Sequence, residues 1–277
     1  MSDHSYTSKG SSVEYEQQNK GTMYIQKLSI DIKTNTNKDE LIEEFGLLMA
    51  FYRGNGQTQG KIESRYIDHN KIVCLPFTYE KNTLHTKHNN FYVNRQSKKL
   101  EELCNSKLVC KTVGKTYKSY KKPCRCKKSD FFILITNYIS IDSPLTCGTC
   151  FKPVPLYKLP VYYDHGYMPI LSWETNYISC DSLQMNCEVG ENWALRQMQE
   201  VTSQLSKQGR EICRKIEELT SIPTFYYLHN YKKYKGDQLT RPCPGCTQKW
   251  TLKTPLNNQY NFKCDHCRII STISSNS

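Results

Sequence analysis

Apolar and polar residues alternate through Tyr24-Ile25-Gln26-Lys27-Leu28-Ser29-Ile30-Asp31-Ile32, the period of a half-buried strand. The period then lengthens. Leu41, Ile42, Phe45, Leu48, Met49 and Tyr52 recur at three- to four-residue steps, which predicts a helix over 39–52 closed by Gly54. Arg65-Tyr66-Ile67 and Lys71 to Tyr79 read as extended, Asn89 to Cys104 as a second helix, and Lys107 to Thr116 as a further strand. These elements predict a small N-terminal β-α-β-α-β domain over residues 23–120. Residues 1–22, rich in Ser, Gln and Lys and without periodicity, read as a disordered tail.

A strand-like run, Phe131 to Ile139, opens the next region, and Pro153, Pro155 and Pro160 hold an extended path after it. Leu195, Met198, Val201, Leu205, Ile212, Ile216 and Leu219 predict one long helix from Glu191 to Thr220, with a skipped turn around Gly209 and core packing as its role. Thr224 to Leu228 reads as a buried strand. Near the C-terminus, Trp250-Thr251-Leu252-Lys253 and Tyr260-Asn261-Phe262-Lys263 alternate on either side of a turn at 255–258. The fold class expected is α+β: a small N-terminal α/β domain, a central cysteine-rich α+β region over 121–236, and a C-terminal ribbon over 237–277.

The ribbon reading depends on cysteine. Cys243-Pro244-Gly245-Cys246 and Cys264-Asp265-His266-Cys267 stand seventeen residues apart, and the predicted hairpin fills the gap. Two residues between cysteines make a knuckle that can place both sulfurs about 2.3 Å from one ion, so two knuckles supply a tetrahedral zinc site. The alternatives are a redox dithiol or unrelated buried cysteines. Thr247 and Arg268 stand where knuckles often carry glycine, which predicts a backbone there that is strained or differently turned. Cys124-Arg125-Cys126 and Cys147-Gly148-Thr149-Cys150, twenty residues apart, make a second set with one tighter spacer. Two Zn2+ ions per chain are therefore expected. Cys180 and Cys187, six residues apart, have poor ligand spacing and are assigned to core packing.

Net charge is +12, which favours an anionic partner such as nucleic acid, and eight thiolates around two zinc ions would lower it to about +8. The segment Lys107 to Lys128 holds nine basic residues and no acid, with Tyr117 and Tyr120 interleaved. Lysines there can neutralise phosphates while aromatics stack on bases. The candidate nucleic-acid contacts are Lys121, Lys122, Arg125, Lys127, Lys128, Lys232, Lys233, Lys235, Lys249, Trp250, Lys253 and Lys263. Strand alternation sets Trp250 and Leu252 on the face opposite Lys249 and Lys253, so Trp250 is also a candidate for the ribbon's core. A protein partner is the alternative to nucleic acid, the twenty tyrosines suiting either.

Other classes find less support. Gly54 to Gly60 has the wrong glycine spacing for a dinucleotide loop, and Val109 stands where a phosphate loop ahead of Gly114-Lys115-Thr116 needs glycine, so no nucleotide is assigned. Asp68-His69 and Asp164-His165 read as turns rather than catalytic pairs. With four thiolates per site and no zinc-protease motif or nucleophile elbow, the chain is read as a non-enzyme. No apolar run is long enough to span a membrane, and the polar first twenty residues carry no signal core, so a cytoplasmic, reducing location is expected for the fourteen cysteines.

The combination of Ser143 to Pro160, Cys180 to Glu191, Leu205 to Leu228 and the terminal cysteine pairs resembles a bacterial family of uncharacterised zinc-ribbon-containing proteins. The resemblance runs from about Met23 to the C-terminus. It implies Cys243, Cys246, Cys264 and Cys267 as zinc ligands, and Cys124, Cys126, Cys147 and Cys150 with them. It suggests nucleic acid as the partner and carries over no catalytic residue.

Overall fold

The computed structural model describes residues 20–33, 36–60, 65–117, 120–231 and 236–274. Of the tail expected over 1–22, residues 1–19 lie outside them, as do the candidate contacts Lys232, Lys233 and Lys235, while Lys20 and Gly21 depart from that reading and pair with Lys121 and Tyr120. A short strand β1 (Lys20–Gly21) comes first, then β2 (Tyr24–Asp31). Helix α1 (Lys38–Gly54) starts at Asn37, whose side chain accepts from the backbone N–H groups of Asp39 and Glu40, satisfying donors that the first turn leaves open. Strands β3 (Arg65–Asp68), β4 (Lys71–Cys74) and β5 (Phe77–Thr78), helix α2 (Phe91–Cys104) and strand β6 (Val109–Lys115) complete the N-terminal unit.

Its order is β3-β4-β2-β6, all antiparallel, with β5 extending the β4 side of β2. That is the split β-α-β arrangement. The expected β-α-β-α-β pattern becomes β-α-β-β-α-β, because Arg65–Asp68 and Lys71–Cys74 form a hairpin of two strands. Leu28, Ile30, Ile72 and Cys74 point at one sheet face and meet Leu41, Phe45, Leu48, Val93 and Leu100 of the two helices. Each such fully buried side chain contributes about 1.5–3 kcal/mol. Ile42, placed on this face from its spacing, is instead 41% exposed.

The rest of the described chain builds around one six-stranded sheet. After β7 (Tyr120–Lys121), which pairs with β1, come β8 (Phe132–Leu134) and β9 (Leu145–Cys147). Three helices follow, α3 (Met168–Asn186), α4 (Glu191–Gln199) and α5 (Gln204–Thr220), and then β10 (Thr224–Tyr227). The ribbon adds β11 (Thr251–Leu256), β12 (Tyr260–Cys264) and β13 (Ile269–Ser271). Strand order is β11-β12-β13-β10-β8-β9, with β10 parallel to both β8 and β13. The ribbon and the central region therefore share a sheet and a core, in which Leu134, Tyr226, Phe262 and Ile269 pack with Ile170, Trp173, Met198 and Ile216.

Three readings of this region change. The long helix expected over 191–220 is two helices, broken at residues 200–203, where Ser203 caps α5 by accepting from the Ser206 N–H. Gly209 is inside α5 and is there for a close approach: a Cβ would lie 2.3 Å from the Tyr226 ring and 2.8 Å from Trp173 Nε1. Helix α3 was not expected at all. Its buried face includes Glu174, Asp181 and Gln184 beside Ile170, Trp173, Tyr177 and Cys180, so polar residues interrupt the apolar period. Cys180 packs in the core as expected, but Cys187 is exposed at the left-handed end of α3.

The junction between the two halves is polar. Arg53 pairs with Glu174 at 3.1 Å with both side chains largely buried, and Tyr79, fully buried, donates to Asp142. The glycine-rich run after α1 serves here as a strut: Gln57, wholly buried, donates to the Thr83 carbonyl, and Gly56 backs onto Leu156.

Candidate metal centres and basic groove

Four cysteine sulfurs converge at each of two places. Within each set, Cys243, Cys246, Cys264 and Cys267 or Cys124, Cys126, Cys147 and Cys150, all sulfurs lie within 4.8 Å of one another. A tetrahedral ion with bonds of about 2.3 Å needs sulfurs about 3.8 Å apart. Cys246 and Cys264, 3.6 Å apart, are close to that edge. The two sets fit a metal ion of zinc's ligand preference.

The terminal set is gripped from both sides. Cys243 accepts from the Thr247 N–H at its carbonyl (2.8 Å) and donates its own N–H to the Gln248 carbonyl (2.9 Å), which closes the first knuckle. Cys267 N–H donates to Cys264 Sγ at 3.3 Å in the second. Both residues that stand in glycine's place take left-handed backbone, Thr247 at φ 61° and Arg268 at φ 53°, as their position after the knuckle requires. Gly245 is needed in fact: a Cβ would lie 2.8 Å from Cys267 Sγ. Cys243 and Cys264 are buried, while Cys246 and Cys267 are half-buried.

Trp250 anchors the ribbon. Its ring stacks on Phe262 (4.9 Å between centroids), its indole N–H donates to the Arg241 carbonyl, and it is 2% exposed. It belongs to the ribbon's core and is not offered to a base. Lys263 is also engaged, paired with Asp265 and 4.4 Å above the Phe225 ring. Lys249 and Lys253 are exposed. Arg268 reaches α5, where its bonds to Glu217 hold that carboxyl below the usual range.

The central set repeats one knuckle. Cys147 donates to the Lys152 carbonyl (2.9 Å) and accepts from the Phe151 N–H (2.8 Å), with Phe151 left-handed at φ 52°. Burial pushes the Cys147 thiol up, but the bonds from Ser129 Oγ and from the Cys150 and Thr149 N–H groups outweigh it and bring it down to about 7. Burial pushes Cys124 up to about 11, and raises Cys150 as well. The tighter Cys124-Arg125-Cys126 arm leans on the sheet through its Cys124 N–H, bonded to the Pro153 carbonyl, and leaves Cys126 exposed.

Beside this set lies a groove of about 570 Å³ lined by Lys122, Arg125 and Lys152, with Tyr24, Cys126 and Cys150 in its walls and no acid among its lining residues. Lys115 and Lys81 stand over the Tyr24 ring at 5.4 and 6.0 Å from its centroid. Lys121, Lys127 and Lys128 are exposed on the same segment, and no ion pair involves them among the described residues. Tyr117 is 87% exposed. Lys152 was missed in the sequence because it stands outside the basic run, and only the fold brings it to Lys122 and Arg125. Asp164-His165 is a turn, and Asp68 ends β3 with His69 in the turn that follows; His69, Asp164 and His165 are left-handed. No described helix is long and apolar enough to cross a membrane.

Three domain families of unknown function match the chain: DUF8589 at residues 23–114, DUF2310 at 126–229 and DUF8594 at 232–277. Two Haemophilus influenzae (strain Rd) relatives, each named only as an uncharacterized protein, are similar to it. One is 31% identical over 235 residues, covering 81% of this chain and 88% of the relative. The other is 38% identical over 148 residues, covering 52% and 71%. No solved structure matches.

Proposed function

The chain belongs to the same family as the first of these Haemophilus influenzae proteins, and from that premise we propose that it is a nucleic-acid-binding protein held in shape by two structural zinc ions. Four thiolates fill a tetrahedral shell and leave no position for a catalytic water, so each zinc organises the fold and binding falls to the surface. The observation that carries the nucleic-acid reading is the acid-free groove of Lys122, Arg125 and Lys152 beside the central cysteines, continued by exposed Lys121, Lys127 and Lys128. Such a surface tracks a phosphate backbone, and the exposed Tyr117 supplies a face on which a base stacks. With Trp250 in the ribbon's core and Lys263 paired with Asp265 over the Phe225 ring, the ribbon's contribution narrows to Lys249 and Lys253.

The test is a titration of the zinc-loaded protein with single-stranded DNA, single-stranded RNA and duplex at low and physiological salt. Replacing Lys122, Arg125, Lys127 and Lys128 with glutamine is expected to weaken binding to every sequence and to flatten the slope against log salt by up to about four units. Absence of binding tighter than about 10 μM at low salt contradicts the reading, since non-specific association through phosphates already reaches that range. A protein-docking role then takes its place. Met185, Val189 and Trp193, exposed at the α3–α4 junction, favour that role, and a docked apolar surface keeps its affinity as salt rises.

A further inference from the structure

The central tetrad and the basic groove share residues. Cys126 and Cys150 are two of the four cysteines whose sulfurs converge at the central set, and they are also the two cysteines in the groove's lining, beside Lys122, Arg125 and Lys152. Cys126 is exposed and Cys150 is half-buried. A thiol that coordinates a metal ion is deprotonated, so both are thiolates whenever the site is filled. An accessible thiolate among positive charges, with a second cysteine in reach, is the setting in which cysteine is oxidised selectively.

Other cysteines of the two sets lack part of this setting. Cys147 is buried, with its Sγ 3.1 Å from Ser129 Oγ, and Cys124 is half-buried and tied through its N–H to the Pro153 carbonyl. In the terminal set Cys243 and Cys264 are buried. Half-buried Cys267 lines a different groove, in which Glu211, Glu217, Glu218 and Asp265 offset four basic residues. The central groove has three basic residues and no acid in its lining. Cys187 is exposed but belongs to neither tetrad, so no metal holds it as a thiolate.

We infer that Cys126 and Cys150 form an oxidation site for peroxides, in which Cys126 reacts first and Cys150 resolves it. The Cys126 thiolate attacks one oxygen of hydrogen peroxide; the O–O bond breaks, leaving a sulfenic acid on Cys126 and a hydroxide ion. Cys150 Sγ, within 4.8 Å, then attacks the Cys126 sulfur, the S–O bond breaks, and a second hydroxide leaves as the disulfide forms. The two thiolates together give up two electrons, and the peroxide, with two protons from solvent, becomes two waters. Lys122, Arg125 and Lys152 stabilise the hydroxide that departs at each step. Only Cys124 and Cys147 then remain as ligands, and the site gives up its metal. The two sulfurs close from about 3.8 Å in a tetrahedral set to about 2 Å in a disulfide, which draws two walls of the groove together. The inference goes beyond the nucleic-acid reading and does not depend on it.

The experiment adds hydrogen peroxide in steps to the zinc-loaded full chain, follows zinc release with a metallochromic indicator and maps sulfur linkages by mass spectrometry of a non-reduced digest. A first phase is expected to release one zinc per chain and to join Cys126 to Cys150, with the second zinc released about tenfold more slowly. Dithiothreitol with added zinc is expected to reverse the first phase. Retention of both zinc ions with oxidation confined to Cys187 overturns the inference. So does release of the terminal zinc first or together with the central one, or a bridge from Cys126 to any other cysteine. Replacing Lys122, Arg125 and Lys152 together with glutamine keeps every cysteine and is expected to slow the first phase severalfold; an unchanged rate overturns the part given to the groove. Should that variant fail to load zinc, the wild-type release and linkage map decide alone. None of these readouts uses nucleic acid. A chain that responds to peroxide in this way and binds no oligonucleotide keeps the oxidation site and loses the proposed function, and one that binds oligonucleotide and resists peroxide does the reverse.

Discussion

Cys147 in the central set and Cys243 in the terminal one sit in knuckles with the same two backbone bonds: each cysteine donates to a carbonyl five residues on and accepts from an N–H four residues on. Each knuckle is followed by a left-handed residue, Phe151 or Thr247. Their partners differ. Opposite Cys243 stands a second two-residue knuckle with buried Cys264, stacked Trp250 and Phe262, and Arg268 tied to α5. Opposite Cys147 stands the one-residue Cys124-Arg125-Cys126 arm, whose last cysteine is exposed beside the basic groove. The comparison teaches that identical donor sets can serve unequal ends: the terminal set is built into the core, and the central set is half core and half surface, where it can shape a binding face.

Removing metal breaks the comparison most severely. Structural four-thiolate sites contribute roughly 10–16 kcal/mol of apparent binding free energy in small peptides. Chelation is expected to abolish hydrogen-exchange protection across β11, β12 and β13 and, through the shared sheet, to weaken it in β10. The N-terminal unit has its own core of Phe45, Leu48, Leu28 and Leu100 and is expected to stay protected. Protection unchanged everywhere contradicts the structural role. A competing chelator added in steps is expected to remove the central metal first, because Cys126 is exposed; loss of the terminal metal first reverses the ranking.

Packing effects come next. Trp250→Ala is expected to cost about 3–5 kcal/mol, read as a lowered denaturation midpoint with loss of terminal zinc, whereas an exposed stacking residue costs little stability. Gly209→Ala pushes a methyl into Tyr226 and Trp173 and is expected to cost about 1–3 kcal/mol, measured by urea denaturation. An unchanged midpoint leaves the α5–sheet contact looser than described.

The smallest effect sharpens the ribbon's attachment. Glu217→Gln is expected to cost less than about 1 kcal/mol, since the pair with Arg268 is about one-third exposed. Arg268 holds the Glu217 carboxyl below its ordinary value. Its contribution is therefore present above the unfolded carboxylate pKa and is lost as pH falls through the lower folded one. Wild type and Glu217→Gln are expected to differ at neutral pH and to converge in acid, as followed by thermal melts.

Much of this was legible in the sequence, for local reasons. Cysteine spacing names the two tetrads, alternation marks β2, β11 and β12, and the absence of glycine at Thr247 and Arg268 marks unusual backbone, which is strained left-handed in both. What escaped was non-local. Helix α3 hides because Glu174 and Asp181 occupy its inner face, Glu174 paired to Arg53 from the other half of the chain. Lys152 joins the groove, and Asn257 comes to line one cavity with Thr136 and His229, only through folding. The break before α5 escaped because the apolar period of Leu195, Met198, Val201 and Leu205 runs on through it, and the skipped turn around Gly209 lies inside α5, where its bare Cα faces Tyr226. The ribbon's merger with the central sheet depends on a parallel pairing, Tyr226 with Ile269, that no local signal records.

The most direct test of the account is the zinc content of protein purified without added metal, measured by elemental analysis beside Cys147→Ser and Cys243→Ser. The account predicts two zinc ions per wild-type chain, one in each variant, and retained hydrogen-exchange protection at the unaltered tetrad. A single zinc in wild type that Cys147→Ser leaves in place, or no zinc at all, contradicts it.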